Sequence, residues 1–382
     1  MNNIKIPLLD LKAQYAAIKP EIRQAVDEVF ESQYFILGPK VKELERKIAV
    51  YSEADYAAGV SSGTDALLIS LMALEIEPGD EIITTPFTFF STAGVISRLN
   101  AIPKFVDIDP LTYNMDPEKI ESTLTRRTRA IIPIHLFGQC ADMDPILRIA
   151  SKHHIPVIED AAQSIGAQYK HKKAGSMGTL GIFSFFPSKN LGGAGDGGMV
   201  VARDSSLHDK LKILRVHGSR PKYFHKIVGG NFRLDALQAA VLLVKLKYLD
   251  SWSEKRRKNA SYYNKLFSES GVIKEGFIET PEEVYRDTGD QNHHIYNQYT
   301  IRAQSRDKLR TYLTEQGIGT SIYYPVPLHL QECYKDLGYL KGDFPESEKA
   351  SESVLSLPVY PELAPSQQEY IMEKITEFYI GK

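Results

Sequence analysis

Five places in this 382-residue chain hold residues whose types could do chemistry together: Ser62-Gly63-Thr64, Phe87, Asp160 with Gln163, Ser184, and Lys189. Lys189 is the most demanding of them. It stands in FSFFPSKNLGGAGDGG (183–198), after a run of aromatics and before a glycine-rich stretch. An unpaired lysine is costly to bury, and repeated glycines weaken any regular element. A solvated loop lysine is the plain reading. The sharper one is an amine kept partly dry so that it can be neutral and form a Schiff base. The other four places match that second reading. Small hydroxyls and free amides where VSSGTDALLISL turns from strand to helix suit an anion, though a helix cap without a ligand explains them equally well. Phe87 in TPFTFFST is either a flat stacking surface or a core residue. Asp160 ends the apolar run IPVIED, with Glu159 before it and Gln163 one turn on; it is a helix cap or a carboxylate at a ligand-binding edge. An anion site, a stacking ring, a strand-end carboxylate and a lysine together meet the needs of pyridoxal phosphate: a phosphate seat, an acidic partner for the ring nitrogen, and an amine for the aldehyde.

Elements in a definite order must position these groups. From about residue 55, short apolar runs alternate with helical patterns: YAAGVS, EIITTP, IPKFVDID, RAIIPIHL and IPVIED, each followed by a helix or a turn. That alternation predicts an α/β fold with three layers, a mostly parallel sheet covered by helices on both faces. Ligands of such sheets bind beyond the carboxyl ends of the strands, which is where the candidate residues fall. Two amphipathic helices precede the sheet, one starting near Pro20 and one over 40–52. Two close strands, TLGIFSFF and GGMVVAR, follow it, and one or two long helices run from Leu234 to Ser270. The division expected is a large domain over 1–250 and a smaller C-terminal α+β domain over 251–382. The smaller domain has strands at YNQYTIRA and GTSIYYP and helices at SRDKLRTYLTEQG and SQQEYIMEKITEFYI.

Bulk properties exclude several classes. Hydrophobic residues make up 43% and charged residues 25% of the chain, as in ordinary globular proteins, and the net charge of −2 gives no basic footprint for nucleic acid or an anionic membrane. Two cysteines, Cys140 and Cys333, form no disulfide framework, and no leader or membrane span is evident, so a cytoplasmic protein is expected. GAGDGG fits the dinucleotide fingerprint G-x-G-x-x-G, yet the strand-like MVVAR follows it where a helix is required. His153–His154 and His293–His294 are adjacent pairs, not spaced as metal ligands on one helix face, and no metal is expected.

The segments YFILGP, SSGTDAL, EIITTPFTFFSTA, FVDID, HLFGQCADMDPI, VIEDAAQSIGA, SFFPSKNLGGAGDGG, NFRLDALQAA and YYPVPLH, in this order over nearly the whole chain, resemble the DegT/StrS family of nucleotide-sugar aminotransferases. These are pyridoxal-phosphate enzymes of fold type I, the aspartate aminotransferase fold. The resemblance implies Lys189 as Schiff-base lysine and proton shuttle and Asp160 as partner of the ring nitrogen. It implies Gln163 at the phenolic oxygen, Phe87 stacked on the ring, and Ser62, Gly63, Thr64 and Ser184 around the phosphate. Asn231 would be a phosphate ligand donated by a neighbouring subunit, hence a homodimer with shared sites. Arg233 would hold the carboxylate of the amino donor, glutamate, and Tyr324 and His329 would touch substrate. Lysine rather than histidine at 189 favours amination of a keto sugar over deoxygenation. HLFGQCADMDPI is similar to members acting on 3-keto sugars, so carbon 3 is expected and carbon 4 is the runner-up. The amino sugar would serve polysaccharide or secondary-metabolite biosynthesis. A regulatory or binding protein that keeps the fold without turnover, and a lysine aldolase without cofactor, are the remaining alternatives.

Overall fold

A computed structural model describes residues 5–381. Its main sheet has seven strands in the order Tyr56–Val60, Gly198–Ala202, Leu180–Ser184, Ile158–Asp160, Thr128–Ile131, Glu81–Thr84, Ile102–Phe105. Two parallel bridges, Ile131 to Val157 and Ile134 to Asp160, join its two halves. Gly198–Ala202 alone runs antiparallel to its neighbours. The remaining pairings are parallel.

Residues alternate across the sheet, and both faces are buried. Ile83, Ile131, Phe183, Met199 and Val201 pack on one side with Val29, Val41, Leu44 and Ile48 of the first two helices and with Leu242. Ile82, Ala130, Ile132, Ile182 and Val200 pack on the other side with Leu67, Leu71 and Leu211. Two cores separated by one sheet give the three layers expected from the alternating pattern.

The first helix runs Leu11–Ser32, well before the start expected at Pro20, which lies inside it. Asp10 caps the earlier start, its carboxylate accepting from the amides of Lys12 and Ala13. The buried stripe Gln14, Ile18, Ile22, Val29 runs through the proline. Packing along that stripe offsets the one backbone bond proline cannot donate. The apolar stretch from Leu234 divides into helices Ala236–Leu246 and Leu249–Ser270, with Asp235 capping the first.

A second core lies beyond residue 250. Strands Ile278–Glu279, Tyr299–Ala303 and Val354–Leu357 form an antiparallel sheet packed against helices Arg306–Glu315 and Pro365–Ile380. GTSIYYP is not one of these strands; only Ser321 bridges to Ser356, and the third strand is Val354–Leu357. The GTSIYYP segment turns its tyrosines toward the cavity described below, which takes its backbone out of the ladder. Ile6 also packs in this second core and pairs with Ile318, so the segment just before the first helix lies with the second core.

Candidate active site

A cavity of about 600 Å3 opens at the carboxyl ends of the parallel strands. Its wall includes Ser62, Gly63, Thr64, Asp160, Gln163, Ser184, Lys189 and Tyr324. These residues, up to 262 positions apart from first to last, come from three strand ends and from the segment 322–324 beside the second core.

The anion seat is the start of helix Gly63–Ala73. Ser62 caps it, its Oγ accepting from the Asp65 amide at 3.0 Å. A Cβ on Gly63 would stand 2.6 Å from Cβ of Ser184, so glycine alone lets this helix start and the end of strand Leu180–Ser184 converge. Free amides, the positive helix end and two hydroxyls then face one place.

Asp160 is nearly buried, 5% exposed. Its Oδ2 accepts from Thr92 Oγ1 at 2.9 Å and its Oδ1 from the Ala162 amide at 3.2 Å. Burial pushes its pKa up; the two hydrogen bonds and the Lys189 charge oppose that rise. Its neighbour Glu159 points to the other side of the strand. Fully buried, it accepts from the amides of Gly175, Met177 and Gly178 and from His135 Nε2 at 2.8 Å. Because His135 Nδ1 accepts from the Ala141 amide, the ring proton sits on Nε2 and is donated to Glu159. Glu159 is thus fully engaged in holding the turn at 175–178.

Lys189 follows the tight turn at Pro187, its amide bonded to the Phe186 carbonyl at 2.9 Å. Loss of hydration pulls its pKa down to about 8, against the pull of the Asp160 charge. The glycines after it serve the protein itself more than a ligand. The Gly193 amide returns to the Phe185 carbonyl, and Gln238 Oε1 takes the Ala194 amide and leaves no room for a Cβ on Gly193. Only Gly197, with Asp196, reaches the cavity wall. Gly198–Ala202 is a strand, as the rejection of the dinucleotide reading requires.

Gln163 lies between the two halves. Its Oε1 accepts from the Phe137 amide at 2.7 Å, and its Nε2 donates to the Tyr324 hydroxyl at 3.1 Å. The second N–H of that amide has no protein partner among the described residues. A helix start suited to an anion, a buried carboxylate, a free amide donor and a low-pKa amine in one cavity fit pyridoxal phosphate.

The model of the DegT/DnrJ/EryC1/StrS aminotransferase family matches residues 16–376. The chain belongs to that family. Among its relatives, a protein of Geobacillus stearothermophilus named pleiotropic regulatory protein is 52% identical, over 98% of this chain and 99% of its own. The UDP-2-acetamido-2-deoxy-3-oxo-D-glucuronate aminotransferase of Pseudomonas aeruginosa is 43% identical, over 97% and 99%. The crystal structure of S. venezuelae DesV in complex with a ketimine intermediate superposes with a TM-score of 0.92 at 39% identity, covering 98% of both chains. The shared fold is that of the aminotransferases, as the resemblance implied.

Two residues expected in this aminotransferase site are elsewhere. Phe87 is fully buried among Ile108, Tyr113, Ile134 and Phe137 and does not reach the cavity. The chain bends after Thr84, with the Phe87 amide donating to Thr85 Oγ1, and the aromatic that lines the cavity is Phe89, 57% exposed. His329 lies behind the wall, 1% exposed, with Nε2 at 3.1 Å from Glu348 and its ring against Phe344. Burial lowers its pKa despite that carboxylate. Asn231 and Arg233, joined by a 2.8 Å bond from Arg233 Nε to Asn231 Oδ1, lie outside this cavity. Residues not foreseen are Phe89, Thr88, Asp196, Gln298 and Tyr323 in the wall, and Thr92 behind Asp160. The spacing of Thr88 and Thr92 across a helix start was the available signal.

Phe87 and Phe89 separate packing from binding. Phe87→Ala should destabilise the fold by about 3–5 kcal/mol, read by denaturant unfolding. Phe89→Ala should leave unfolding within about 0.5 kcal/mol and instead weaken cofactor retention on dialysis. Equal effects on retention would count against this division. A second cleft, of about 530 Å3, is lined by Asp80, Arg129 and His153 and holds none of the strand-end residues; its Asp80 and Arg129 are paired with each other.

Proposed function

We propose that this chain is a pyridoxal-phosphate-dependent aminotransferase that converts a nucleotide-linked keto sugar, keto at carbon 3, into the amino sugar with L-glutamate as donor. The observation that carries this reading is the convergence of Lys189, Asp160, Gln163 and the capped helix start in one cavity. Membership of the family supports transamination. Carbon 3 rests on the relative named for a 3-oxo-glucuronate; nothing favours carbon 4 over it.

When bound, the cofactor supplies an electron sink for a carbanion. The chain's own residues do the rest. Ser62, Gly63, Thr64 and Ser184 hold the phosphate, and Phe89, in the place expected of Phe87, lies against the ring. Asp160 holds the proton of the ring nitrogen, and the spare Gln163 N–H meets the phenolic oxygen. Lys189 Nζ would take the proton from the donor's Cα and pass it to the cofactor's C4′ carbon, and would carry the transfer in reverse to the sugar carbon being aminated, which needs a neutral amine. Its lowered pKa supports that role.

A homodimer completes the reading. Asn231 and Arg233 are outside their own cavity, and the adjoining segment exposes Tyr223, Phe224 and Val228 at 78%, 67% and 89%. A second copy covering that apolar surface would receive Asn231 at its phosphate and Arg233 at the donor carboxylate. The chain divides near residue 250 into the sheet domain that binds cofactor and the smaller domain that closes the cavity with Tyr323 and Tyr324. Among the described residues, no helix is long and apolar enough to cross a membrane.

The test is the visible absorbance of the purified protein before and after L-glutamate. A yellow band should appear, shift on adding glutamate, and return with a 3-keto but not a 4-keto sugar nucleotide. The name of the Geobacillus relative favours a second reading, a regulator without turnover. A protein that shows no band after incubation with pyridoxal phosphate would establish that reading and sink the first.

A further inference from the structure

We propose that Thr92 is a positioning residue: its hydroxyl, backed by that of Thr88, holds the Asp160 carboxylate as an oriented anion facing the cavity. This deepens the proposed function and rests on Asp160 being the partner of the ring nitrogen.

Three observations carry it. First, Asp160 is buried and has few donors. Beyond the Ala162 amide on Oδ1, the Thr92 hydroxyl at 2.9 Å is the one hydrogen-bond donor to Oδ2 among the described residues. An anion buried with so little support drifts toward its neutral form, so each donor counts heavily. Second, the direction of the relay is settled by chemistry. A carboxylate only accepts, so Thr92 Oγ1 must donate to Asp160. In the 3.4 Å contact between Thr88 Oγ1 and Thr92 Oγ1, the donor is then Thr88. Thr92 is fully buried and Thr88 nearly so, which keeps bulk water from replacing either hydroxyl. Third, Thr92 is the second residue of helix Ser91–Arg98. The free amides and positive end of that helix start favour the same negative charge. Thr88 and Thr92 lie four residues apart across the bend that carries Phe89 into the cavity. The strap that supplies the proposed stacking ring therefore also supplies the support for the carboxylate.

Removing the hydroxyl makes Asp160 a stronger base and lets it rotate. The signature is in pH dependence and not in fold stability. In the holoenzyme, the visible band would be followed as pH is lowered, together with cofactor retention. Thr92→Val, which keeps shape and removes the donor, should move the acidic limb of both up by about one pH unit. It should also weaken cofactor binding about tenfold near neutrality. Thr92→Ser, which keeps the hydroxyl, should behave like wild type. Thr88→Val should shift the limb in the same direction by less, and serves in place of Thr92→Val if valine at 92 disturbs folding. An unmoved limb in the valine variants would overturn the proposal. So would a serine variant as shifted as the valine one, because the methyl group's packing would then be the cause. Asp160→Asn with the wild-type limb would remove Asp160 from the ring nitrogen and the proposal with it. A wild-type protein that takes up no cofactor would overturn the function itself, an outcome distinct from all of these.

Discussion

Lys189→Ala is expected to lower kcat by about 10⁴-fold or more, because one amine serves as both the covalent anchor and the proton carrier. Lys189→Arg should be no better. A guanidinium keeps the charge but does not deprotonate in a protein, so it can neither form the Schiff base nor accept the Cα proton. The alanine variant should fold, since it removes a half-dry cation that has no ion-pair partner among the described residues and so relieves a desolvation cost. The accompanying pH signature has a definite sign. The nucleophile is the neutral amine and its pKa is about 8 in the cofactor-free protein. The rate of cofactor capture should therefore rise with pH through about 8 and level off above it. Stopped-flow absorbance against pH measures this directly. A rate that climbs steadily toward pH 10 would mean an ordinary solvated lysine, and a Lys189→Ala variant with measurable turnover would reassign the base.

Asp160→Asn should cost about 10²–10³ in kcat, since an amide cannot hold the ring nitrogen's proton by charge. It should do so while stabilising the cofactor-free protein. Burial raises the Asp160 pKa in the folded state. A raised folded pKa means that the stability contributed by this carboxyl is full below its unfolded pKa and falls as pH rises through the folded value. At neutral pH the cofactor-free protein therefore bears the cost of a buried anion that asparagine lacks. Thermal melting of the two proteins without cofactor should show the variant higher at pH 7 and the gap narrowing as pH falls. On adding cofactor the order should invert, because only the carboxylate gains a positively charged partner. A variant less stable than wild type in both conditions would mean that Asp160 is a structural cap.

How much of this was legible beforehand follows from which rules are local. The helix start at Ser62 is legible because a short side chain reaches an amide three residues on; Asp10 and Asp235 cap helices in the same way, but the sequence does not single them out. The alternation of apolar strands with helices is nearly local and yields the layered sheet, and a strand-end position follows for Asp160 and Lys189. The first helix extended past Pro20 because burial along one stripe outweighed a single lost backbone bond. The strand expected at GTSIYYP failed for the opposite reason, its backbone being turned by the site it lines.

Phe87 and Phe89 mark the boundary most sharply. Both are phenylalanines two residues apart just beyond a strand, and no periodicity holds across a bend. Only the path of the chain after Thr84 decides that one fills the core under Tyr113 and the other reaches the cavity. His329 and Thr92 belong to the same class. A histidine near tyrosines in sequence ended behind the wall on Glu348, and a threonine ended 2.9 Å from a carboxylate 68 residues later, a partner that its spacing from Thr88 does not reveal. The sequence alone determined the fold class, the strand-end carboxylate, the lysine near it and a helix start suited to an anion, because strand ends and caps are written in short-range chemistry. Which neighbouring side chain turns inward, and which hydroxyl supports a buried charge, only the tertiary structure decided, because those contacts join residues whose separation carries no pattern.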